Sequence, residues 1–480
     1  MFEYDWLVIG SGPAGEKGAV QAAYFGKRVA VVEKAKAVGG ACVNTGTLPS
    51  KTLRETSLYL SGWKQRDMYG MSCQLREGVS VPELMCRQEP VLNTERDRIR
   101  KNFERHHVDL IEGEARFVGE HTVEILTPEG PKRVTSDAVL LAVGSSPFKP
   151  AYVPFEDPNV DDADSILRLD KIPNAMVILG GGVIGCEYAS IFAALGTKCM
   201  VVEGRDQILG FLDQEVNQIL SGQMARLGVE FVLKKNVVDV SRKNGVLTCT
   251  LDDGRVLECE RLLFAGGRSG NTRSLGLETV GIQTDSRGLL KCNQFFQVEG
   301  AKGGRIYATG DVIGFPALAS VAMEQGRVAA CHAFDIKYKT KVSTGFPYGL
   351  YTIPEVSMVG ETEESAKKKG IDFEVGRAFY RDNARGQICG DTEGMVKLIF
   401  QVEDKKLIGC HIVGERATEL VHVGQSVIHF GGGLDDFIDQ VFNFPTLGDM
   451  FKYAAYDGLG RLQRRQGKAT GPQKIISQTR

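Results

Sequence analysis

Residues 6–33 read WLVIGSGPAGEKGAVQAAYFGKRVAVVE, and residues 176–203 read MVILGGGVIGCEYASIFAALGTKCMVVE. The second stretch is the first displaced by 170 positions. Each copy has an apolar strand, a G-x-G-x-x-G turn, a helix of small residues, a glycine, a second apolar strand and a closing glutamate. The first glycine precedes that glutamate by 23 residues in both copies. The positions have distinct physical duties. Gly10 and Gly180 permit the tight turn out of the strand, and Gly12 and Gly182 let the backbone approach a pyrophosphate. Gly15 and Gly185 allow the helix to pack close to the sheet, with its N-terminus facing phosphate. Glu33 and Glu203 are placed to accept hydrogen bonds from ribose hydroxyls. One G-x-G-x-x-G is weak evidence, but the whole unit occurring twice is strong evidence for two dinucleotide sites. Flavin and nicotinamide form the chemically useful pair, so a flavoprotein with two dinucleotide sites is expected.

Around these repeats the chain changes texture. The stretches Val108–Leu126 and Val229–Leu257 are rich in β-formers, the latter broken by turn signals at Lys243-Asn244-Gly245 and Asp252-Asp253-Gly254. From about Phe346, alternating strands (Met395–Gln401, Lys406–Val413) precede a helical pattern over Ala417–Phe430. The expected fold class is therefore α/β, with two Rossmann-like dinucleotide-binding domains and a C-terminal α+β domain. The boundaries read as 1–150 for the first part of the FAD domain, 151–275 for the NAD(P) domain and 276–345 for the return to the FAD domain. Residues 346–460 read as a dimerisation domain. Residues 461–480, with six Lys or Arg and no acid, read as a flexible basic tail.

Composition narrows the class further. A chain of 480 residues calls for more than one core. A net charge of -2 gives no electrostatic case for nucleic acid or an anionic membrane surface. No apolar run is long enough to span a membrane, and Met1–Asp5 carries no basic leader, so a cytoplasmic location is expected. The eleven cysteines are scattered, without C-x-x-C or metal-ligand spacing, as in a chain of reduced thiols. His411, His422 and His429 lack such spacing too, and no metal site is expected. Lys367–Lys369 reads as the exposed face of a helix.

The segment Gly39–Lys51, GGACVNTGTLPSK, resembles the active-site segment of the pyridine nucleotide–disulfide oxidoreductases, the family of glutathione reductase and lipoamide dehydrogenase. The resemblance runs over nearly the whole chain. AVGSSP (Ala142–Pro147) and AGGRSGNT (Ala265–Thr272) resemble the two segments that return to the flavin domain, and IYATGDV (Ile306–Val312) resembles the second flavin-contacting motif. The resemblance implies cofactor contacts at Gly40, Cys42, Thr47, Lys51, Gly144, Gly267, Asp311 and Ala319. It also implies a C-terminal dimerisation domain, hence a homodimer, with higher assemblies left open.

The departures carry the chemistry. The dithiol members have C-x4-C, whereas here Cys42 is followed by Thr47, and a hydroxyl cannot close a disulfide. Their His-Pro-Thr segment, a base and its carboxylate contributed across the dimer, is Phe444-Pro445-Thr446-Leu447-Gly448-Asp449 here. Phe444 cannot move a proton. Hydride passing from a dihydronicotinamide to flavin and on to another nicotinamide needs neither group. Among relatives without the second cysteine, the chain resembles the soluble FAD-containing NAD(P) transhydrogenases in GTLPSKTLRE (Gly46–Glu55), LDQEV (Leu212–Val216), DVIGFPALASVAMEQGR (Asp311–Arg327), YTIPEVSMVGETE (Tyr351–Glu363) and FNFPT (Phe442–Thr446). The implied reaction is hydride exchange between NADPH and NAD, in support of cell redox homeostasis.

Residue roles follow from the resemblance. Lys51 and Glu187 would pair beside the flavin ring as the catalytic charges, the alternative being two solvated helix charges. Glu203 suits an unphosphorylated ribose, while Arg205 would either meet a 2′-phosphate or remain a solvated loop side chain. Cys42 is either a packed remnant or a catalytic thiol. The rival functions are a diaphorase or quinone reductase, a dihydrolipoamide-dehydrogenase-like protein, and a non-catalytic FAD protein.

Overall fold

A computed structural model describes residues 1–62, 81–243 and 245–467. Backbone packing divides these into two units. The first gathers the described residues of 1–61, 74–206 and 230–344, and the second those of 62–73, 207–229 and 345–480. Most of the expected tail, 468–480, lies outside the described residues, as does Asn244 of the expected turn. The tail's first residues are ordered, because the C-terminal helix Met450–Arg465 runs through Arg461.

The sequence repeat is a structural repeat in the first unit. Strand Tyr4–Ile9, helix Pro13–Tyr24 and strand Val29–Glu33 recur as strand Ala175–Leu179, helix Val183–Ala194 and strand Lys198–Glu203. Even the pairing register is conserved between the copies. Trp6 lies beside Val29 and Ile9 beside Val32, and in the second copy Met176 lies beside Cys199 and Leu179 beside Val202, all parallel. Both strands of each pair are buried on both faces, which explains their continuous apolar runs.

Each pair sits inside a larger sheet. In the first, the order is Asp109–Glu112, Val29–Glu33, Tyr4–Ile9, Gly130–Leu141, Thr122–Thr127 and Glu114–Gly119, with Ile306–Ala308 also on Gly130–Leu141. The long strand Gly130–Leu141 is antiparallel to Thr122–Thr127 at its start and parallel to Tyr4–Ile9 and Ile306–Ala308 at its end. In the second sheet, Val160–Asp162, Arg261–Phe264, Ala175–Leu179, Lys198–Glu203 and Val229–Leu233 lie side by side. A three-stranded antiparallel sheet, Val237–Lys243, Val246–Leu251 and Val256–Cys259, follows the expected turns. The second unit is built on an antiparallel sheet from Tyr348–Leu350 to Phe373–Phe379, covered by helices Ala417–His429 and Met450–Arg465. No helix among the described residues is long and apolar enough to cross a membrane.

The second unit differs from the sequence expectation in one respect. Residues 207–229 fall within the expected NAD(P) segment but belong to this unit. The physical reason is a buried ion cluster. Lys397, only 1% exposed, places Nζ 2.7 Å from Asp213, 2.9 Å from Glu215 and 2.6 Å from Glu363. Arg377 bridges the same Glu215 and Glu363 at 2.8 and 3.2 Å. Asp213 also caps the helix Gln214–Arg226 through the amides of Glu215 and Val216. Burial opposes the charge on Asp213, but His411 when protonated and the Lys397 hydrogen bond outweigh it and hold its pKa below the ordinary value. Glu363 is likewise held low, burial again being outweighed by Lys397.

Two outcomes are expected. Lys397→Met leaves buried carboxylates short of a partner, a change that costs about 3–5 kcal/mol when one side of a buried pair is removed. Arg377 remains and two of the carboxylates are part-exposed, so the low end, about 3 kcal/mol, is expected as an earlier denaturant transition of this unit. Because the folded pKa values of Asp213 and Glu363 lie below their unfolded ones, their stabilisation is complete above about pH 5 and is lost as acid protonates them. A pH–stability profile of wild type against Lys397→Met should converge at low pH.

Candidate dinucleotide sites and the charged pair between them

Both glycine turns are open toward solvent where a phosphate would lie and closed everywhere else. A β-carbon on Gly15 would stand 1.9 Å from the Gly10 carbonyl oxygen, and one on Gly185 would stand 1.9 Å from the Gly180 oxygen. Gly10 and Gly180 have φ of +102° and +113°, a region that disfavours side chains. By contrast, a β-carbon on Gly182 would meet nothing within 4 Å, and one on Gly12 only the Gly40 Cα at 3.8 Å. Gly12 and Gly182 are the N-caps of their helices, and neither helix has a side-chain cap for its first amides. These features fit a pyrophosphate in each turn.

The closing glutamates are prepared in the same way. Ser11 donates from N–H and Oγ to Glu33 Oε2 at 2.9 and 2.6 Å, and the Ala35 amide donates to Oε1 at 2.9 Å. Gly181 N–H donates to Glu203 Oε2 at 2.8 Å. The copies diverge two residues later. Ala35 occupies the first site, whereas Arg205 in the second grips Glu203 with Nε and Nη2, each at 3.0 Å. Burial disfavours the Glu203 charge, but the Arg205 guanidinium and the Arg205 and Gly181 amides outweigh it and hold its pKa below the ordinary range. Arg205 is 62% exposed, so its guanidinium is within reach of a ligand as well as of Glu203. Only the second turn therefore carries a cation at this position.

The active-site segment leans on the first turn. Gly39 N–H donates to Ser11 Oγ at 3.1 Å, and a β-carbon on Gly40 would stand 2.9 Å from the Gly12 Cα. The short helix Gly40–Asn44 carries Cys42, and the next helix, Thr47–Ser61, carries Thr47 and Lys51. Thr47 lies close enough to Cys42 to act on its thiol, so a hydroxyl stands where a second thiol would be. Burial pushes the Cys42 thiol above its ordinary pKa, against the smaller pull of Thr47 and Lys51. Lys51 Nζ donates to Glu187 Oε2 at 2.6 Å, joining the helix after the first repeat to the helix inside the second.

Residues that sequence reasoning quoted without singling out complete the site. Arg268 Nε donates to Ser145 Oγ at 2.8 Å, and Ser145 Oγ–H donates to Asp311 at 2.8 Å. Arg268 also lies 3.6 Å from Asp164. The two return segments, holding Gly144 and Gly267, pair as the antiparallel strands Ser145–Pro147 and Arg268–Gly270. Gln325 accepts from the Gly310 amide at 2.8 Å, fixing the turn before Asp311. Ala319 opens the helix Ala319–Ala333, which has no side-chain cap. The signal for Ser145 and Arg268 lay in their motifs, but polar residues there do not announce which atoms they join.

Residues 4–326 match the pyridine nucleotide-disulphide oxidoreductase family, and residues 346–455 match its dimerisation domain. The chain belongs to this family. It is 45% identical over 467 residues to a soluble pyridine nucleotide transhydrogenase of Mycobacterium bovis, covering 96% of this chain and 98% of that one. An Escherichia coli protein of the same name is 39% identical over 466 residues, covering 96% and 99%. Among solved structures, LpdA from Mycobacterium tuberculosis superposes with a TM-score of 0.86 at 25% identity, covering 94% of this chain and 99% of that one. The HOCl-induced flavoprotein disulfide reductase RclA from Escherichia coli gives 0.84 at 25% identity, again covering 94% and 99%.

A thiol whose pKa is raised by burial is a poor nucleophile near neutrality. Alkylation of Cys42 by iodoacetamide in the folded protein at about pH 7.5 should be slower than in the unfolded chain and should rise steeply with pH. Peptide mass spectrometry of timed samples measures this, and rapid labelling at neutral pH would contradict the assignment.

Proposed function

We propose that this protein is a flavoprotein transhydrogenase that moves hydride reversibly between NADPH and NAD, working in the cytoplasm as a homodimer. The carrying observation is that both dinucleotide turns and the Lys51–Glu187 pair are intact while Cys42 has Thr47 as its partner. The chain's 45% identity to a curated transhydrogenase supports the same reading. Bound FAD would supply a two-electron carrier able to accept hydride from one nicotinamide and return it to another.

The chain's own residues divide the remaining tasks. Gly10, Gly12, Gly15, Glu33 and Gly40 would hold the adenosine diphosphate part of FAD, with Gly144, Asp311 and Ala319 along the rest. Gly180, Gly182, Gly185, Glu203, Arg205 and Gly267 would hold the nicotinamide nucleotide. Lys51, oriented by Glu187, would place positive charge where electron density gathers. Cys42 and Thr47 would line the site without exchanging electrons. In this reading residues 1–150 and 276–345 form the FAD domain, 151–275 the NAD(P) domain and 346–460 the dimerisation domain.

Leu407, Cys410, Ile412, Val421 and Val427 are buried in the second unit's own core, whereas Phe430, Val441, Phe444, Tyr453 and Tyr456 are exposed. These exposed side chains are the better candidates for contact with a second copy, and Phe444 is 74% exposed.

Nucleotide choice tests the reading. Arg205 must release Glu203 to meet a 2′-phosphate, so the net worth of that contact falls at the low end of a charge-assisted bond, about 1.5 kcal/mol or roughly tenfold. Arg205→Ala should weaken NADPH by about that factor and change NADH little. Glu203→Ala should shift preference the other way. Stopped-flow flavin reduction by each nucleotide measures both ratios, and equal losses for both nucleotides in both variants would refute the assignment. As a direct functional test, protein reduced anaerobically with NADPH and freed of nucleotide should regain its flavin absorbance on addition of NAD.

A further inference from the structure

Two cysteines outside the dinucleotide sites lie against each other. In the antiparallel pair Val246–Leu251 and Val256–Cys259, Cys249 is opposite Leu257 and Leu247 is opposite Cys259. Cys249 and Cys259 are thus diagonal neighbours on one face of the sheet. Both are free and buried, at 0% and 5% exposure, among Val177, Leu179 and Phe264. The two thiols are near enough to act on each other, and the amides of Val177 and Arg261 lie near the Cys259 sulfur. Val177 lies in the strand Ala175–Leu179, and Arg261 begins the strand Arg261–Phe264 beside it. Those two strands end together at the second glycine turn, where the Ala265 amide donates to the Leu179 carbonyl at 2.8 Å.

We propose that Cys249 and Cys259 are a redox-modification site, oxidised to a disulfide by a small peroxide, and that closing it disturbs the second nucleotide turn. The thiols have unequal parts. The Cys249 S–H, aimed at Cys259, and the two amides hold the Cys259 thiol below its ordinary pKa against burial, aided by Arg242. The same contact, with burial, holds Cys249 up. Cys259, 5% exposed against 0% for Cys249, is the sulfur that peroxide meets first, so it attacks and Cys249 resolves.

In the first step the Cys259 thiolate attacks peroxide oxygen. A sulfur–oxygen bond forms, the oxygen–oxygen bond breaks, and the released hydroxide takes up the proton that Cys259 shed on ionising and leaves as water. In the second step the Cys249 sulfur displaces that oxygen. A sulfur–sulfur bond forms, the sulfur–oxygen bond breaks, and the Cys249 proton leaves with a second water. The two sulfurs lose two electrons in all, and the peroxide oxygens gain them. Diagonal cross-strand positions are about 7–8 Å apart at Cα, wider than a relaxed disulfide prefers, so closure pulls the strands inward and the bond is readily reduced again. Closure also takes the Cys259 sulfur from the amides of Val177 and Arg261, which is how it reaches the turn at Gly180.

The test uses the full-length holoprotein treated with hydrogen peroxide, then denatured, alkylated and digested. A linked Cys249–Cys259 peptide lacking two hydrogens is expected, reversed by dithiothreitol and absent from Cys249→Ala and Cys259→Ala. Both cysteines alkylated after treatment, with no linked peptide, would overturn the site. The effect on the turn rests on the nucleotide site proposed above, so NADPH affinity is measured before and after peroxide. Reduced protein that binds NADPH supports that site independently. Oxidation is expected to lower affinity about tenfold in wild type and leave Cys249→Ala unchanged. A linked peptide with unaltered affinity would overturn the connection to the turn.

Discussion

The closest constraint among the described residues is the approach of a helix to the strand end that precedes it, where Gly15 meets the Gly10 carbonyl and Gly185 meets the Gly180 carbonyl. Any side chain would force the helix away. That would lift its uncapped first turn from the place where a phosphate must lie. It would also separate the carboxylates of Glu33 and Glu203 from Ser11 and Gly181, the groups that hold them. The same backbone contact thus sets the fold, the phosphate cradle and the ribose acceptor in each half.

On this duplicated frame the two sites are made unequal by few residues. Ala35 against Arg205 separates a site with only a carboxylate from one with a carboxylate and a cation. The bidentate pairing of Arg205 with Glu203 keeps the carboxylate charged and gives the guanidinium a resting place. Between the halves, Lys51 and Glu187 tie the helix bearing the former dithiol position to the second repeat's own helix. The relay from Arg268 through Ser145 to Asp311 ties the return segments together in the same way. Thr47 and Phe444 bring neither a second thiol nor a proton carrier, while both glycine turns leave room for a phosphate.

Much of this was legible in the sequence because local rules and the tertiary structure agree. The period of 170 residues appears again in the strand registers, and the Lys243–Gly245 and Asp252–Gly254 turn signals bound real strands. The Lys51–Glu187 contact was reached only through family resemblance, since a separation of 136 positions leaves no local trace. Where long-range electrostatics decide, local pattern fails. The Lys397 cluster ties residues 207–229 to the C-terminal unit, although they fall within the 151–275 expected for the nucleotide domain. The alternating pattern over Leu407–Val427 does not reveal that Leu407, Cys410, Ile412, Val421 and Val427 are buried within the C-terminal unit. Scattered cysteines likewise conceal the Cys249–Cys259 contact, which exists only once the hairpin register is known.

The central claim is that electrons pass through flavin alone, with Cys42 held as a half-buried thiol beside Thr47. An anaerobic reductive titration of the holoprotein tests it most directly. The account predicts two electrons taken up per FAD and no long-wavelength thiolate-to-flavin charge-transfer band. Uptake of four electrons with such a band would contradict it, since a second redox pair would then be exchanging with the flavin.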